Sequence, residues 1–327
     1  LRLRVFRERA PFFQSYSAPM KRLFKRFFAV SVLVSSSFVW AQPDDERDRS
    51  LIIVGSDTLA KLVTAWAEQF YVLNPTILIE VQAVGSAATP PALLLGTATI
   101  GTMSRRMNAD ERDAFTVRKQ RPPIEISLAV DAVVLIVHQQ NPLNSVSMAE
   151  VGQIFGMPGT CGSSMRPVFW RDLREDSVLA DRKLQVFGRT ATSGTYQYFR
   201  RVALCDGDPG IFVNEMPGGA GIVNTVARVP GGIGYTATSY TSNDVKILGI
   251  ERPDGRILYP EDPEYPLKRT LYLYVMTDLS SESPSIECEF LAYVAGEKGR
   301  DLLRSAGFSI PQVADSQSAR GVADACG

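Results

Sequence analysis

The stretch "GRTATSGTY", Gly188 to Tyr196, holds the residues best suited to chemistry. Arg189 stands four residues before Ser193-Gly194-Thr195, straight after the apolar strand-like run "LQVF". Two chemistries fit that spacing. Ser193 or Thr195 can act as a nucleophile if a base reaches the hydroxyl. Alternatively, guanidinium, hydroxyls and bare amides together hold an anion, because the first amides of a helix lack intrahelical partners and lie at the positive end of its dipole. Gly194 keeps the backbone accessible, and hydroxyls give or take hydrogen bonds as required. An arginine at a strand's C-terminal end adds a fork of donors that grips an oxyanion at two points.

The same arrangement, strand end followed by hydroxyl and helix, recurs in "VGSDTL" with Ser56, Asp57 and Thr58, and in "VGSAAT" with Ser86. A further strand-like run ends in "MSRRM", which offers Ser104 and Arg105. Any one of these serines and threonines is explained as an ordinary helix cap. Three in one doubly wound frame are not, because strand ends in such folds converge on a single crevice. The nucleophile reading is the weaker one. His138 is the single histidine and lies in the apolar run "AVVLIVH", where a structural role fits better. The chain has no Gly-x-Ser-x-Gly elbow, and no lysine follows Ser193 at Ser-x-x-Lys spacing.

The elements that must position these residues alternate between strand and helix. "LIIVG" (51–55) reads as a buried strand, and 58–71 as a helix with Leu59, Leu62, Val63, Trp66 and Phe70 at helical spacing. Residues 76–84 form a strand, "PALLLG" a short helix, "TATIGTM" a strand, and "NADERDAFTVRKQ" a helix with Asn108 as N-cap. A long β-rich run covers 124–142. Thereafter 147–156, 194–204 and 286–308 are helical, 184–189 and 270–276 are strands, and 220–240 is helix, glycine turn and strand. The pattern predicts an α/β protein of two lobes, each a mainly parallel sheet flanked by helices, with the ligand in the cleft between them. Lobe 1 is expected over 51–135 and 250–310, lobe 2 over 136–249, and a polar tail over 311–327.

The N-terminal 41 residues read differently. From Met20, "MKRLFKRFFAVSVLVSSSFVWAQ" has a basic start, an apolar run too short to span a bilayer, and small or branched residues before a cut after Ala41. This is the form of a secretory signal peptide, with residues 1–19 upstream of the start. Removal takes away eight of 35 Lys/Arg and one of 35 Asp/Glu, leaving 27 basic and 34 acidic residues, a formal net charge of −7. An acidic exported chain is a poor nucleic-acid binder, and any anion must be held by local donors. The four cysteines, Cys161, Cys205, Cys288 and Cys326, suggest disulfides in an oxidising compartment. Three pairings are possible. Cys161–Cys205 with Cys288–Cys326 is preferred because each pair stays within a lobe or its return segment, with free buried thiols as the alternative. With no Cys-x-x-Cys and one histidine, a zinc site is not expected.

The blocks "GSDTLAKLVTAWAEQF", "GSAAT", "ATIGTMSRRMNADE", "AVDAVVLIVHQQNPL", "GRTATSGTYQYF" and "PGGIGYT" resemble, in order, those of the periplasmic phosphate-binding proteins of PstS type. These are solute receptors of ABC phosphate importers with a type 2 periplasmic-binding-protein fold, and the likeness runs from about 51 to 308. It implies anion contacts from the amides of Thr58 and Leu59 and from Ser86, Arg189, Ser193, Gly194 and Thr195, with Ser104 and Arg105 adding to them. It also implies no metal or organic cofactor, a monomer in the periplasm, and a membrane permease as partner. Departures exist. "GSAAT" has less glycine than usual, "TAT" (190–192) lacks the acid many relatives place there, and Arg105 stands where one branch has Asp. The acceptor for a protonated anion then falls to Asp57 or Asp131, although Asp57 also suits a helix cap and Asp131 an inter-lobe structural acid. Phosphate leads as ligand. The alternatives are sulfate or another oxyanion, a secreted sensory or interaction protein without transport, and, last, a serine hydrolase using Ser193.

Overall fold

The computed structural model describes residues 50–162, 166–175, 178–276 and 285–311, together with Cys326. The leader expected over 1–41 lies outside the described residues, as does the expected tail apart from Pro311 and Cys326.

Three parallel strands begin the described residues. β1 (Ser50–Gly55) leads through a short turn into α1 (Ala60–Leu73), which buries Leu62, Val63, Trp66, Ala67 and Phe70 at the predicted helical spacing. β2 (Leu78–Gln82) pairs parallel with β1. α2 (Thr89–Leu95) follows and closes at Gly96, whose φ of 72° is the left-handed conformation that glycine adopts without strain. β3 (Ile100–Met103) then pairs parallel with the other side of β1. α3 (Ala109–Lys119) starts at Asn108, as expected, through a reciprocal capping box with Glu111.

β4 (Ile124–His138) is the long β-rich run, and it belongs to both lobes. Its Ile124–Ala132 part pairs with a later return strand, and Val133–His138 pairs with strands of the second lobe. That lobe comprises β5 (Ser145–Ser147), α4 (Met148–Phe155), β6 (Gln185–Arg189), α5 (Gly194–Ala203), β7 (Asn214–Met216), α6 (Gly219–Val226), β8 (Gly232–Ala237), β9 (Val245–Glu251) and β10 (Ile257–Leu258). β11 (Lys268–Val275) returns to the first lobe, which α7 (Ile286–Ala295) and α8 (Glu297–Ser305) complete. The main strand order is β2-β1-β3-β11-β4-β8-β6-β7. Both lobes lie in one compact unit, Asp44–Gly327.

The α/β two-lobed expectation holds, with a refinement of the sheet. The outer strands of each lobe are parallel, whereas β4 and β11 pair antiparallel with each other and with their neighbours. Two strands that carry the chain out of a lobe and back must run in opposite directions. The crossing points also shift. Ile250, Leu258, Tyr265 and Leu267 pack in the second lobe's core with Phe155, Phe199 and Leu248, so 250–267 goes with that lobe rather than with 268–310. At the same level the Val133 amide donates to the Leu267 carbonyl at 2.9 Å. The first lobe keeps its own core around Trp66, Ile100, Leu273 and Phe290.

The disulfides follow the preferred pairing. Cys161 joins Cys205 with Cα atoms 5.5 Å apart, tying the loop after α4 to the end of α5. Cys288, on α7, joins Cys326 with Cα atoms 5.3 Å apart.

Candidate functional site

The C-terminal ends of β1, β3 and β6 face one another across the gap between the lobes. Gly55 closes β1 with φ 147°, and a Cβ there would lie 2.0 Å from the Thr102 carbonyl oxygen, so only glycine lets β1 lie this close to β3 before the chain turns. The Ser56 amide then donates to Thr102 at 2.9 Å and fixes the turn that carries Ser56, Asp57 and Thr58. On the facing lobe, Ser193 Oγ caps α5 by accepting from the amides of Thr195 (3.1 Å) and Tyr196 (3.4 Å).

Hydroxyls from these turns form a continuous chain. Ser56 Oγ meets Ser104 Oγ. Ser104 Oγ lies 3.3 Å from Ser86 Oγ and 3.4 Å from Thr58 Oγ1, and the Ser104 amide donates to Ser86 Oγ at 3.0 Å. Thr58 Oγ1 then bridges the lobes to Thr195 Oγ1 at 3.1 Å. Gly194 sits against this chain, since a Cβ added there would come within 2.2 Å of Ser86 Oγ. Five hydroxyl side chains, Thr58, Ser86, Ser104, Ser193 and Thr195, are at most 3% exposed. So many hydroxyls, withdrawn from water beside a helix N-terminus, suit an anion, to which a hydroxyl can donate.

Two guanidinium groups bring donors to the cleft, each paired with a carboxylate. Arg189, at the end of β6, is buried; its Nη2 donates to the Pro217 carbonyl at 3.0 Å and lies 2.8 Å from Asp57 Oδ1 of the other lobe. The second contact is ionic without hydrogen-bond alignment. Asp57 Oδ1 and Arg189 Nε are therefore both buried with no hydrogen-bond partner among the described residues. Asp57 Oδ2 accepts from the Gly219 amide at 3.4 Å, at the start of α6. Tyr240 donates its hydroxyl to the Asp57 carbonyl, and burial, with the nearby Asp57 charge, pushes its pKa up to about 12.

The other cation, Arg269, escaped the sequence reading. Its Nη1 donates to Thr195 Oγ1 at 3.0 Å and its Nη2 to Thr58 Oγ1 at 3.4 Å, while Nε (3.1 Å) and Nη2 (2.7 Å) grip Asp131 Oδ2. "LKRTLYLYV" reads as a charged loop entering a strand. The signal was alternation: on β11, Arg269 shares a face with Leu271 and Leu273, and all three are buried. A charge on a buried face needs a partner.

Thr58, Ser86, Ser104, Arg189, Ser193, Gly194 and Thr195 thus meet in one cleft, joined by Ser56, Asp57 and, through Arg269, Asp131. Two predicted contacts are directed elsewhere. The Leu59 amide donates within its own turn to the Ser56 carbonyl at 3.3 Å. Arg105 turns to Glu111, the Arg106 carbonyl and Gln197, because its helix neighbour supplies a carboxylate within reach. Arg106 is the exposed arginine of the pair, held by Glu125 at 2.8 Å. His138 ends β4, where its Nδ1 accepts from the Gln140 amide. No group of three or more metal-ligating side chains occurs among the described residues, nor is any helix there long and apolar enough to cross a membrane.

Comparison with known proteins identifies the family. The family model described as a PBP superfamily domain matches residues 41–298. The phosphate-binding protein PstS of Pseudomonas aeruginosa is 38% identical over 265 residues, covering 79% of this chain and 82% of that protein. This chain belongs to the PBP superfamily and, within it, to the PstS family. Its family is one of substrate-binding receptors. PstS of Bacillus subtilis is 27% identical over 79% of each chain. Among solved structures, a putative phosphate ABC transporter substrate-binding protein from Clostridium perfringens, crystallised with bound phosphate, has the same fold. Its TM-score is 0.66 at 23% identity, covering 80% of this chain and 100% of that one.

Proposed function

We propose that this protein is an exported solute receptor that binds inorganic phosphate between its lobes and delivers it to an ABC importer in the inner membrane. The observation that carries the reading is a pair of buried atoms: Arg189 Nε, with no hydrogen-bond partner among the described residues, and Asp57 Oδ1, which faces Arg189 Nη2 at 2.8 Å without hydrogen-bond alignment. One is a donor and suits an ionised oxygen; the other is an acceptor and suits a protonated one. Hydrogen phosphate presents both, and sulfate presents only acceptors, so a buried acceptor facing sulfate is left unpaired. Phosphate-binding names among the relatives, and bound phosphate in the Clostridium perfringens structure, support the same ligand. This reading calls on neither metal nor cofactor. The monomer is exported through the leader ending at Ala41 and works in the periplasm, so the permease partner carries the membrane spans.

Titration calorimetry of the mature protein with phosphate, arsenate and sulfate tests this. Phosphate and arsenate bind, and sulfate binds at least about tenfold more weakly, a difference of roughly 1.4 kcal/mol. Arg189→Ala weakens phosphate binding by at least about tenfold, again roughly 1.4 kcal/mol. Absence of phosphate binding by the wild type overturns the reading. Stimulation of the cognate permease–ATPase by loaded protein tests delivery.

A further inference from the structure

Arg105 occupies the place where the family likeness puts an anion ligand, yet its donors are committed to other groups. Nη1 donates to Glu111 Oε2 at 2.7 Å and to the Arg106 carbonyl at 2.9 Å, and Nη2 donates to Glu111 Oε1 at 2.6 Å. Nε donates to Gln197 Oε1. Glu111 is itself fixed by the capping box of α3, so the plane of the guanidinium is set from within the first lobe. Gln197 is on α5 of the second lobe. Its amide group is oriented by donation from Nε2 to the Ala191 carbonyl at 3.0 Å, which leaves Oε1 aimed at Arg105. Two further groups join across the same rim, the Ala87 amide donating to the Thr192 carbonyl at 3.1 Å.

We infer that Arg105 and Gln197 form a latch between the lobes and set how long the cleft stays closed over its anion. The inference rests on the proposed anion cradle and assigns Arg105 a positioning role beside it. Arg105, paired with Glu111, contributes little net charge to the cradle. What it offers is a charge-assisted hydrogen bond to a group on the opposite lobe, made only when the lobes meet. A contact present in the closed state alone biases the closed–open equilibrium by its own free energy. Because it does not touch the anion, it acts on every anion equally. It therefore slows release without altering selectivity, as expected for contacts that act through the dissociation rate.

The test uses two variants at Gln197, a half-buried helix position outside the cradle. Gln197→Met keeps the length and removes the acceptor; Gln197→Glu keeps an acceptor oxygen. Phosphate release is followed by stopped flow, anion preference by calorimetry, and closure by hydrogen exchange of the Ala87 amide against amides of β4. Gln197→Met is expected to release phosphate about tenfold faster, to speed Ala87 exchange while leaving β4 unchanged, and to keep the phosphate-to-sulfate affinity ratio. Gln197→Glu restores slow release and Ala87 protection. Unchanged release and exchange in Gln197→Met overturns the latch, and so does a changed affinity ratio, which would make Gln197 an anion ligand. If the wild type binds no phosphate, the functional reading fails, and Ala87 exchange alone decides the latch: faster in Gln197→Met supports it, unchanged overturns it.

Discussion

Arg269 and Asp131 are directly opposed residues of the antiparallel β11–β4 pair, and their side chains meet with Nη2 2.7 Å from Oδ2 while 1% and 0% exposed. The pair sits where β4 passes from one lobe to the other, and Asp131 Oδ1 also accepts from Thr238 of the second lobe at 2.8 Å. A charge pair in this position joins the hydroxyl chain to the hinge. Removing one partner leaves the other charge buried and uncompensated. Arg269→Ala is expected to cost about 3–5 kcal/mol of stability, whereas replacing both by apolar residues of similar volume, Arg269→Met with Asp131→Leu, costs much less. Urea denaturation of the singles and the double measures this. Equal loss in both would show that the ion pair is not what Arg269 supports.

Gly194 offers a separate test of the cleft. Its hypothetical Cβ falls 2.2 Å from Ser86 Oγ and 2.7 Å from Ser86 Cβ, and both of these atoms belong to the other lobe. Gly194→Ala therefore opposes closure without disturbing either core. The expected result is at least about tenfold weaker phosphate binding, roughly 1.4 kcal/mol. Stability without ligand changes by less than about 1 kcal/mol, since alanine suits a first helical turn better than glycine. Calorimetry and thermal unfolding together check it.

What the sequence disclosed followed from local pattern. Strand ends with hydroxyls and glycine at 55–58, 85–86 and 193–195 could be read directly, because caps and turns leave signatures within a few residues. The cross-chain partners could not. Arg269 is 211 residues from Thr58, to which it donates, and its pairing with Asp131 depends on strand register. Arg105 was legible as a charge at a strand end, but Glu111, six residues on, decides where it points. The crossing within β4 was legible to within a few residues, because the run 124–142 is too long for one lobe's strand and carries a charge, Asp131, in its middle; the change of partner falls at Ala132/Val133.

The buried tyrosines give the stability a definite pH dependence. Tyr240 is raised from 10.0 to about 12, chiefly by burial and then by Asp57, and burial raises Tyr235, Tyr265 and Tyr274 as well. Between these values the folded chain keeps a proton that the unfolded chain has lost. Stability from Tyr240 is thus complete below about pH 10 and lost as pH rises through about 12. The urea midpoint should fall steadily above pH 10, with tyrosinate absorbance appearing together with unfolding. Tyr240→Phe, which cannot ionise, should flatten that slope while lowering stability at neutral pH through loss of the bond to the Asp57 carbonyl.

Asp57 carries the last prediction, which concerns selectivity. Its Oδ2 faces the Gly219 amide at the start of α6, so the carboxylate is held in place from the second lobe, while Oδ1, 2.8 Å from Arg189 Nη2 but without hydrogen-bond alignment to it, keeps acceptor capacity. A fixed acceptor welcomes a protonated oxygen and repels a fully ionised one. Asp57→Asn keeps the shape, removes the charge, and adds an Nδ2 donor that can serve an ionised oxygen. Phosphate affinity should fall and sulfate affinity rise, so that their ratio drops by at least about tenfold, the equivalent of roughly 1.4 kcal/mol. Side-by-side calorimetry at one pH reads both. A variant that weakens the two anions equally would make Asp57 a partner of Arg189 in lobe closure and not the selector of the protonated ligand.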